Sequence, residues 1–468
     1  MNGLTIRDET RLKMLMGAFA ISGYSIGYGV GIMNSLAVPV LTNYFKLDEE
    51  AKVGALGNLN SFFPIGAVIG MLSAGKLMST FGRRKLNYYL DIIVIISLLF
   101  VVLGTLWSVY LSRFLFGFGA SLYCLVACIT MVECLPTEKS SVGNMAVYVF
   151  VTSFLLLVFV QQSIFSEATL VNNWKFFMAY PAVFSVLRLY LLTQYLDFES
   201  PVQLTAQYAS DPNLRAILRE NLTKLYADDA ALTHKINELV DRATNSSTDK
   251  REPTMQEFLT QPMYRKSLIS AAFGNIGQQI SGINFLVFFS TQLFDSISGN
   301  GKMISVVFGL GNLCGGLCGV YIINKFPRKW LLQNGAVAQG ICLWLIILGI
   351  WTGIYFHMAF CVFAYVFMFA VGLGATLGLY INEIAPPVGA GFSSALNWTT
   401  ASLVGKLCPI GVYYFGSTAV MVFFALACFA VSLVVREYLM ESPANSKAED
   451  DNPLTDANPI EMTGKLLH

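Results

Sequence analysis

The chain is 468 residues long, 55% hydrophobic and only 13% charged, with a mean hydropathy of +0.59. That mix excludes a water-soluble globular domain, because apolar segments of roughly 20 residues, each long enough to cross a ~30 Å hydrocarbon core as a helix, recur from end to end. The net charge of +1 says nothing about a partner, since in such a chain the placement of charge decides more than its sum.

In chain order the apolar runs predict about twelve spans, near residues 14–38, 54–78, 87–107, 110–134, 142–165, 175–197, 264–290, 302–323, 330–353, 358–382, 392–415 and 417–439. Lys and Arg gather in alternate loops: Arg7, Arg11 and Lys13 before the first span, "GRRK" at Gly82 to Lys85, Lys139, the segment after Glu199, and Lys325, Arg328 and Lys329. The positive-inside rule puts these loops, and both termini, in the cytosol. The first apolar run is too long for a cleavable signal and lacks a small-residue cleavage site.

A polar stretch from about Val202 to Gln261 separates six spans from six, and pieces such as "NLRAILRENLTKLY" give it helical order. The organisation expected is a six-helix half over 1–201, a cytosolic connector over 202–261, a second six-helix half over 262–443 and a disordered cytosolic tail over 444–468, rich in Asp and Glu. "STFGRRK" from Ser79 is echoed by "NKFPRK" from Asn324, and "ESP" at Glu199 by "ESP" at Glu441. Equivalent positions make the halves pseudo-symmetric, with a solute site between them near the midplane.

Nine cysteines lie within the spans or at their ends. Cys124 with Cys128 and Cys314 with Cys318 have i, i+4 spacing, but two soft ligands without a nearby histidine read as packing residues and not as a metal site. The sequons at Asn221, Asn245 and Asn397 fall on the cytosolic side or in the membrane and are not expected to carry glycans.

The seventh span contains "GNIGQQISGINFLVFFS", Gly274 to Ser290, with Asn275, Gln278, Gln279, Ser281 and Asn284 in an otherwise apolar run. Each amide costs several kcal/mol if unpaired in hydrocarbon. At about 100° per residue these polar and glycine positions sweep an arc of about 220°, too wide for one packing seam. The helix is therefore central, and Ser281-Gly282 is a place where it can bend or open. Amides both donate and accept, as each hydroxyl of a neutral polyol does, although interhelical glue would use the same groups.

"QQISGIN", Gln278 to Asn284, resembles the signature of the seventh helix in the sugar-porter branch of the major facilitator superfamily, and most of all the facilitative glucose transporters. "GRR" after the second span, "RFLFGFG" in the fourth, "ESP" after the sixth, "GLGNL" in the eighth and "NWT" in the eleventh match in register. The resemblance implies an all-α membrane protein with the major facilitator fold, and a sugar held by Gln278, Gln279, Asn284, Asn312 and Asn397, with Trp398 as an aromatic face. It also implies cytosolic salt bridges, Glu133 with Arg83 and Arg84 and Glu383 with Arg328 and Lys329, that hold the halves together when that side is closed.

The chain departs from the family in two spans. The fifth offers only Tyr148 where a glutamine motif is usual, and the tenth reads "GLGATLGL" from Gly372 where two prolines and a tryptophan are usual, so Gly372, Gly374 and Gly378 would supply the hinge. The family's further arginines after the fourth and tenth spans are missing, which implies a weaker latch and a less favoured outward-facing state.

Proton-coupled relatives resemble one another in an Asp on the first span, where this chain has Gly29. Asp91 follows the basic loop, Glu133 and Glu383 sit at helix ends, and His357 lies in an outer loop, so no proton relay is evident within a span. Lys406, in the outer half of the eleventh span, is expected to snorkel to the outer interface; facing the cavity, it would favour an acidic solute. Arg113 and Arg188 read as structural.

The expectation is a non-enzymatic uniporter for a hexose, most simply glucose, in the plasma membrane, working by alternating access. No cofactor, ATP motif or nucleic acid is expected; the partners are the sugar and the bilayer, and the protein is a monomer. The alternatives are a proton-coupled sugar or polyol symporter and a non-transporting sugar sensor.

Overall fold

The computed structural model describes residues 1–245, 253–323, 325–353 and 357–441, so the tail over 444–468 and most of "STDKREPT" lie outside it. Among the described residues the backbone is helical, apart from loops and one bridge pair, Ile6 with Tyr226. That is what hydrocarbon demands, because a helix satisfies its own N–H and C=O groups where no water can. Helix ends find side-chain partners at the polar boundaries: Asp8 accepts from Thr10 N and Arg11 N, Asp48 from Ala51 N, and Thr105 and Ser108 form a capping box.

Nine helical runs among the described residues are long and apolar enough to cross a membrane. One of them, Glu49–Leu103, has 55 residues, too many for one crossing at about 1.5 Å each. It turns at Gly82, whose φ of 75° suits glycine, and supplies the second and third spans. A Cβ there would also lie 2.5 Å from Glu199 Oε2. The seventh span is two helices, Arg265–Ile280 and Ile283–Ser298, and the eleventh is one helix, Pro387–Phe415, threaded with Asn397, Ser402 and Lys406. With these, every expected span is accounted for.

The sixth and tenth spans are interrupted as well. The sixth breaks between Trp174–Ala179 and Ala182–Tyr195 at Pro181, which has no N–H to give. The tenth runs Met358–Phe369, widens into a π-helix over Ala370–Thr376 and resumes as Leu377–Ile384. The glycines expected to hinge there are used differently. Gly372 packs against Gly335 of the ninth span, where a Cβ would meet the neighbouring Cα at 3.1 Å, and Gly378 borders open space.

The connector is docked against the bundle. Leu214, Leu218, Leu222 and Tyr226 share a core with Leu12, Leu15, Met131 and Leu196, at the ends of the first, fourth and sixth spans. Tyr226 OH donates to Cys134 O at 2.6 Å, and burial pushes this phenol far above its ordinary pKa. Asn221 is also occupied, accepting from Glu199 N at 2.8 Å and donating to Glu199 O at 2.7 Å.

Asp91 corrects the sequence reading. It follows the basic loop as expected, but it is fully buried within the third span and paired with an equally buried Arg188 at 2.8 Å. Tyr123 OH donates to Asp91, Arg188 donates to Asn87 Oδ1, and the guanidinium lies 4.0 Å from the Tyr123 ring centroid. Ser185 Oγ links Tyr123 OH at 3.1 Å to Tyr24 OH at 2.6 Å, so the third, fourth, sixth and first spans share one polar network. Asp91→Leu strands a buried cation and is expected to lower stability by about 3–5 kcal/mol, whereas Asp91→Leu with Arg188→Met recovers most of it. Thermal unfolding in detergent checks both; equal losses in the single and double variants would refute the pairing as the source of stability.

Candidate functional site

The break in the seventh span is built around Gly282, with φ at 93°. Any Cβ there would meet the Phe424 ring at 2.9 Å, so both conformation and space require glycine. Ser281 O, left by the break, accepts from Tyr365 OH at 2.9 Å and from Cys428 Sγ at 3.3 Å. A carbonyl that would be costly in a lipid environment is thereby satisfied within the protein.

The break turns the amides on either side toward one another. Asn284 Nδ2 donates to Gln279 Oε1 at 2.6 Å, and Gln279 Nε2 donates to Asn397 Oδ1 at 2.8 Å. Asn397 Nδ2 donates to Gln278 Oε1, and Gln278 Nε2 donates to Leu373 O at 2.6 Å, within the π-helical segment of the tenth span. One directed chain of amides thus joins the seventh, eleventh and tenth spans. Asn312, on the eighth span, is nearly buried and takes no part in it. Trp398 packs edge-on against Phe63 of the second span, centroids 5.9 Å apart, and so serves the contact between the first six spans and the last six.

Residues that the sequence reading passed over also matter. Asn34, on the first span, donates through Nδ2 to Val287 O at 2.6 Å and Ser290 Oγ at 2.8 Å, while its Oδ1 accepts from Thr291 N at 3.2 Å. Gln292 Nε2 donates to Asn34 O at 2.7 Å. This closes the first span onto the seventh at the end away from the charged loops. Gln162, on the fifth span, is buried with neither amide atom bonded, several turns from where a glutamine was sought. Gln161 and Gln162 stand side by side in an apolar run, which was the only signal, since an adjacent pair has no periodicity to show which of them is buried.

At the charged-loop end the expected pairs form differently. Arg83 Nη2 reaches Glu133 Oε1 at 2.8 Å, but the Arg84 guanidinium makes no ion pair among the described residues. Both backbone N–H groups, of Arg83 and Arg84, donate to Glu199, and Ser200 Oγ donates to Glu133, which gives "ESP" a structural role. Arg328 Nε reaches Glu383 Oε1 at 3.2 Å, while Lys329 pairs with Glu441 at 3.3 Å. Arg83 and Glu133 both precede the connector, and Arg328 and Glu383 both follow it, so neither pair joins one set of six spans to the other. The turn at Gly82 decides this, because it aims Arg83 back along its own bundle.

Twelve spans around a polar patch at a broken helix define a membrane solute carrier of the major facilitator fold. The match to the family model described as "Sugar (and other) transporter", over residues 15–443, shows that the chain belongs to that family of sugar transporters. It is 25% identical over 446 residues to a D-xylose transporter from Levilactobacillus brevis, covering 92% of this chain and 93% of that one. It is 24% identical over 445 residues to the glucose transporter GlcP from Staphylococcus epidermidis, covering 92% and 94%. Its fold is similar to the inward open conformation of the xylose transporter XylE from E. coli, with a TM-score of 0.74 at 18% identity over 92% of this chain and 97% of that one. The chain is therefore an integral, multi-pass membrane protein that carries sugar and performs no covalent chemistry.

Arg83→Ala is expected to lower the melting temperature in detergent, since it leaves Glu133 half-buried and unpaired, whereas Arg84→Ala stays within about 0.5 kcal/mol of the parent. Equal effects of the two variants would contradict the pairing described.

Proposed function

We propose that the protein carries a hexose, glucose in the first instance, across the plasma membrane by facilitated diffusion and alternating access. Gln278, Gln279, Asn284 and Asn397 bind the sugar hydroxyls, Asn312 supplies a further contact and Trp398 borders the site. The two sets of six spans act as the moving halves, both termini are cytosolic, and a monomer suffices. The observation that carries the reading is the amide chain at the seventh-span break: each link is a donor and acceptor pair that a hydroxyl can replace one for one. The bonds from Asn34 to the seventh span support an external gate formed by the first and seventh spans.

Uniport is supported at Gly29. Arg113 on the fourth span is fully buried and donates through Nη1 to Gly29 O and through Nε to Leu59 O at 3.2 Å. A side chain at Gly29 would meet the Phe63 and Phe116 rings at 2.7 and 2.8 Å, so no room exists for a titrating carboxylate there. A second reading, proton-coupled symport, draws on Asp91, a carboxylate buried within the first six spans, and on XylE, which is described as a proton:xylose symporter.

Uptake of radiolabelled glucose into proteoliposomes, with and without a pH gradient, tests both. Gradient-independent uptake that falls about tenfold or more in Gln278→Ala is expected, the loss of one well-made bond to the sugar being worth about 1.4 kcal/mol or more. Uptake that requires the gradient would replace uniport by symport, and uptake indifferent to Gln278→Ala would remove the amide chain from the binding site. Binding of sugar without any uptake would favour a sensor.

A further inference from the structure

The contact between the second and eleventh spans holds an unusual group of polar side chains. Lys406 Nζ donates to Asn58 Oδ1 at 2.5 Å, and no carboxylate among the described residues pairs with it. The expected snorkelling does not occur: Leu403 and Leu407 take the exposed face, and the Lys406 chain crosses toward the second span. Lys406 and Asn58 each lie nine residues from the far end of their helices, about 13 Å in. A cation at that depth without a counter-charge is expensive, and such residues mark solute pathways more often than packing seams.

Asn60 adds an independent observation. It is completely buried, and neither its Nδ2 nor its Oδ1 has a partner. It abuts Gly405, the residue before Lys406: a Cβ on Gly405 would lie 3.0 Å from Asn60 O and 3.2 Å from Asn60 Cβ. Across the same seam, a Cβ on Gly57 would lie 3.0 Å from Lys406 O. Two glycines thus bring the backbones into near contact between the first six spans and the last six, with the Lys406–Asn58 pair on one flank of the seam and Asn60, two residues along the same helix, on the other. When alternating access parts the second span from the eleventh on this side, Lys406 and Asn58 face the mouth of the pathway.

We propose that Lys406 and Asn58 form an entrance subsite that takes the carboxylate of a sugar acid, so that the solutes include hexuronates as well as neutral hexoses. This rests on the sugar-carrier reading above and extends its substrate class. The chemistry fits: an ammonium and an amide supply N–H donors to both carboxylate oxygens, and charge-assisted bonds of this kind are roughly twice as strong as neutral ones. A neutral hexose offers the ammonium no comparable partner.

The test compares uptake of radiolabelled D-glucuronate and D-glucose by the full-length protein in proteoliposomes, for wild type, Lys406→Met, Lys406→Arg and Asn60→Ala. The expected result is that the glucuronate-to-glucose ratio falls about tenfold or more in Lys406→Met, is largely kept in Lys406→Arg and is unchanged in Asn60→Ala, on the other flank of the seam. A role in gating alone would move both solutes together and leave the ratio unchanged, which would overturn the proposal. So would a wild type that takes up glucose but neither transports glucuronate nor is inhibited by it. If wild type moves neither solute, the sugar-carrier reading fails separately; equilibrium dialysis with glucuronate then decides the subsite, and equal binding by wild type and Lys406→Met rejects it.

Discussion

The constraint on which the structure depends is that a backbone or amide group left unpaired in hydrocarbon costs several kcal/mol, and Gly282 is where the chain meets that cost most openly. A φ of 93° in the middle of a span ends one helix and starts another, exposing Ser281 O and turning Gln279 and Asn284 inward. Tyr365 and Cys428 close on the carbonyl, and Asn397 and Leu373 close on the glutamines. The tenth, eleventh and twelfth spans are thus drawn to the seventh by groups that must be satisfied, and the polar centre is a consequence of the break that created them.

The opposite solution is seen in the first six spans. There Asp91, Arg188, Asn87, Tyr123, Ser185 and Tyr24 form a closed polar network that faces neither lipid nor the partner set of helices. A network of this kind resists rearrangement, because moving one member strands another. The amide chain around Asn397 is of the other kind: its members are only part-buried, and each bond can be exchanged for one to a hydroxyl. Rigidity in one set of spans and exchangeable bonds in the other suit the proposed binding of sugar by the last six spans.

Much of this was legible in the sequence. Hydropathy located every span, since a membrane crossing leaves no choice of length, and Gln278, Gln279 and Asn284 stood out as amides in an apolar run beside a Ser-Gly break. Partnerships at the charged-loop end were not legible. Whether Glu133 takes Arg83 or Arg84 depends on how Gly82 turns the chain, and Lys329 finds Glu441 only because the twelfth span returns beside the ninth. Neither the burial of Asp91 nor the crossing of Lys406 could be read off, because depth in a span does not say which face a side chain takes. The π-helix of the tenth span was hidden for a similar reason, as its glycines suit a hinge, a wide turn or close packing equally well.

Asn34 closes the far end of the pathway largely by grasping main-chain atoms: the carbonyl of residue 287, the amide of residue 291, and its own carbonyl in the grip of Gln292. Where it holds the carbonyl of residue 287 and the amide of residue 291, the fastening is indifferent to the side chains there, and only Ser290 and Gln292 contribute theirs. The phenylalanine-rich stretch after the break is therefore free to drift in sequence, and to be re-engineered for a differently shaped solute, while the closed state of the gate keeps the same fastening.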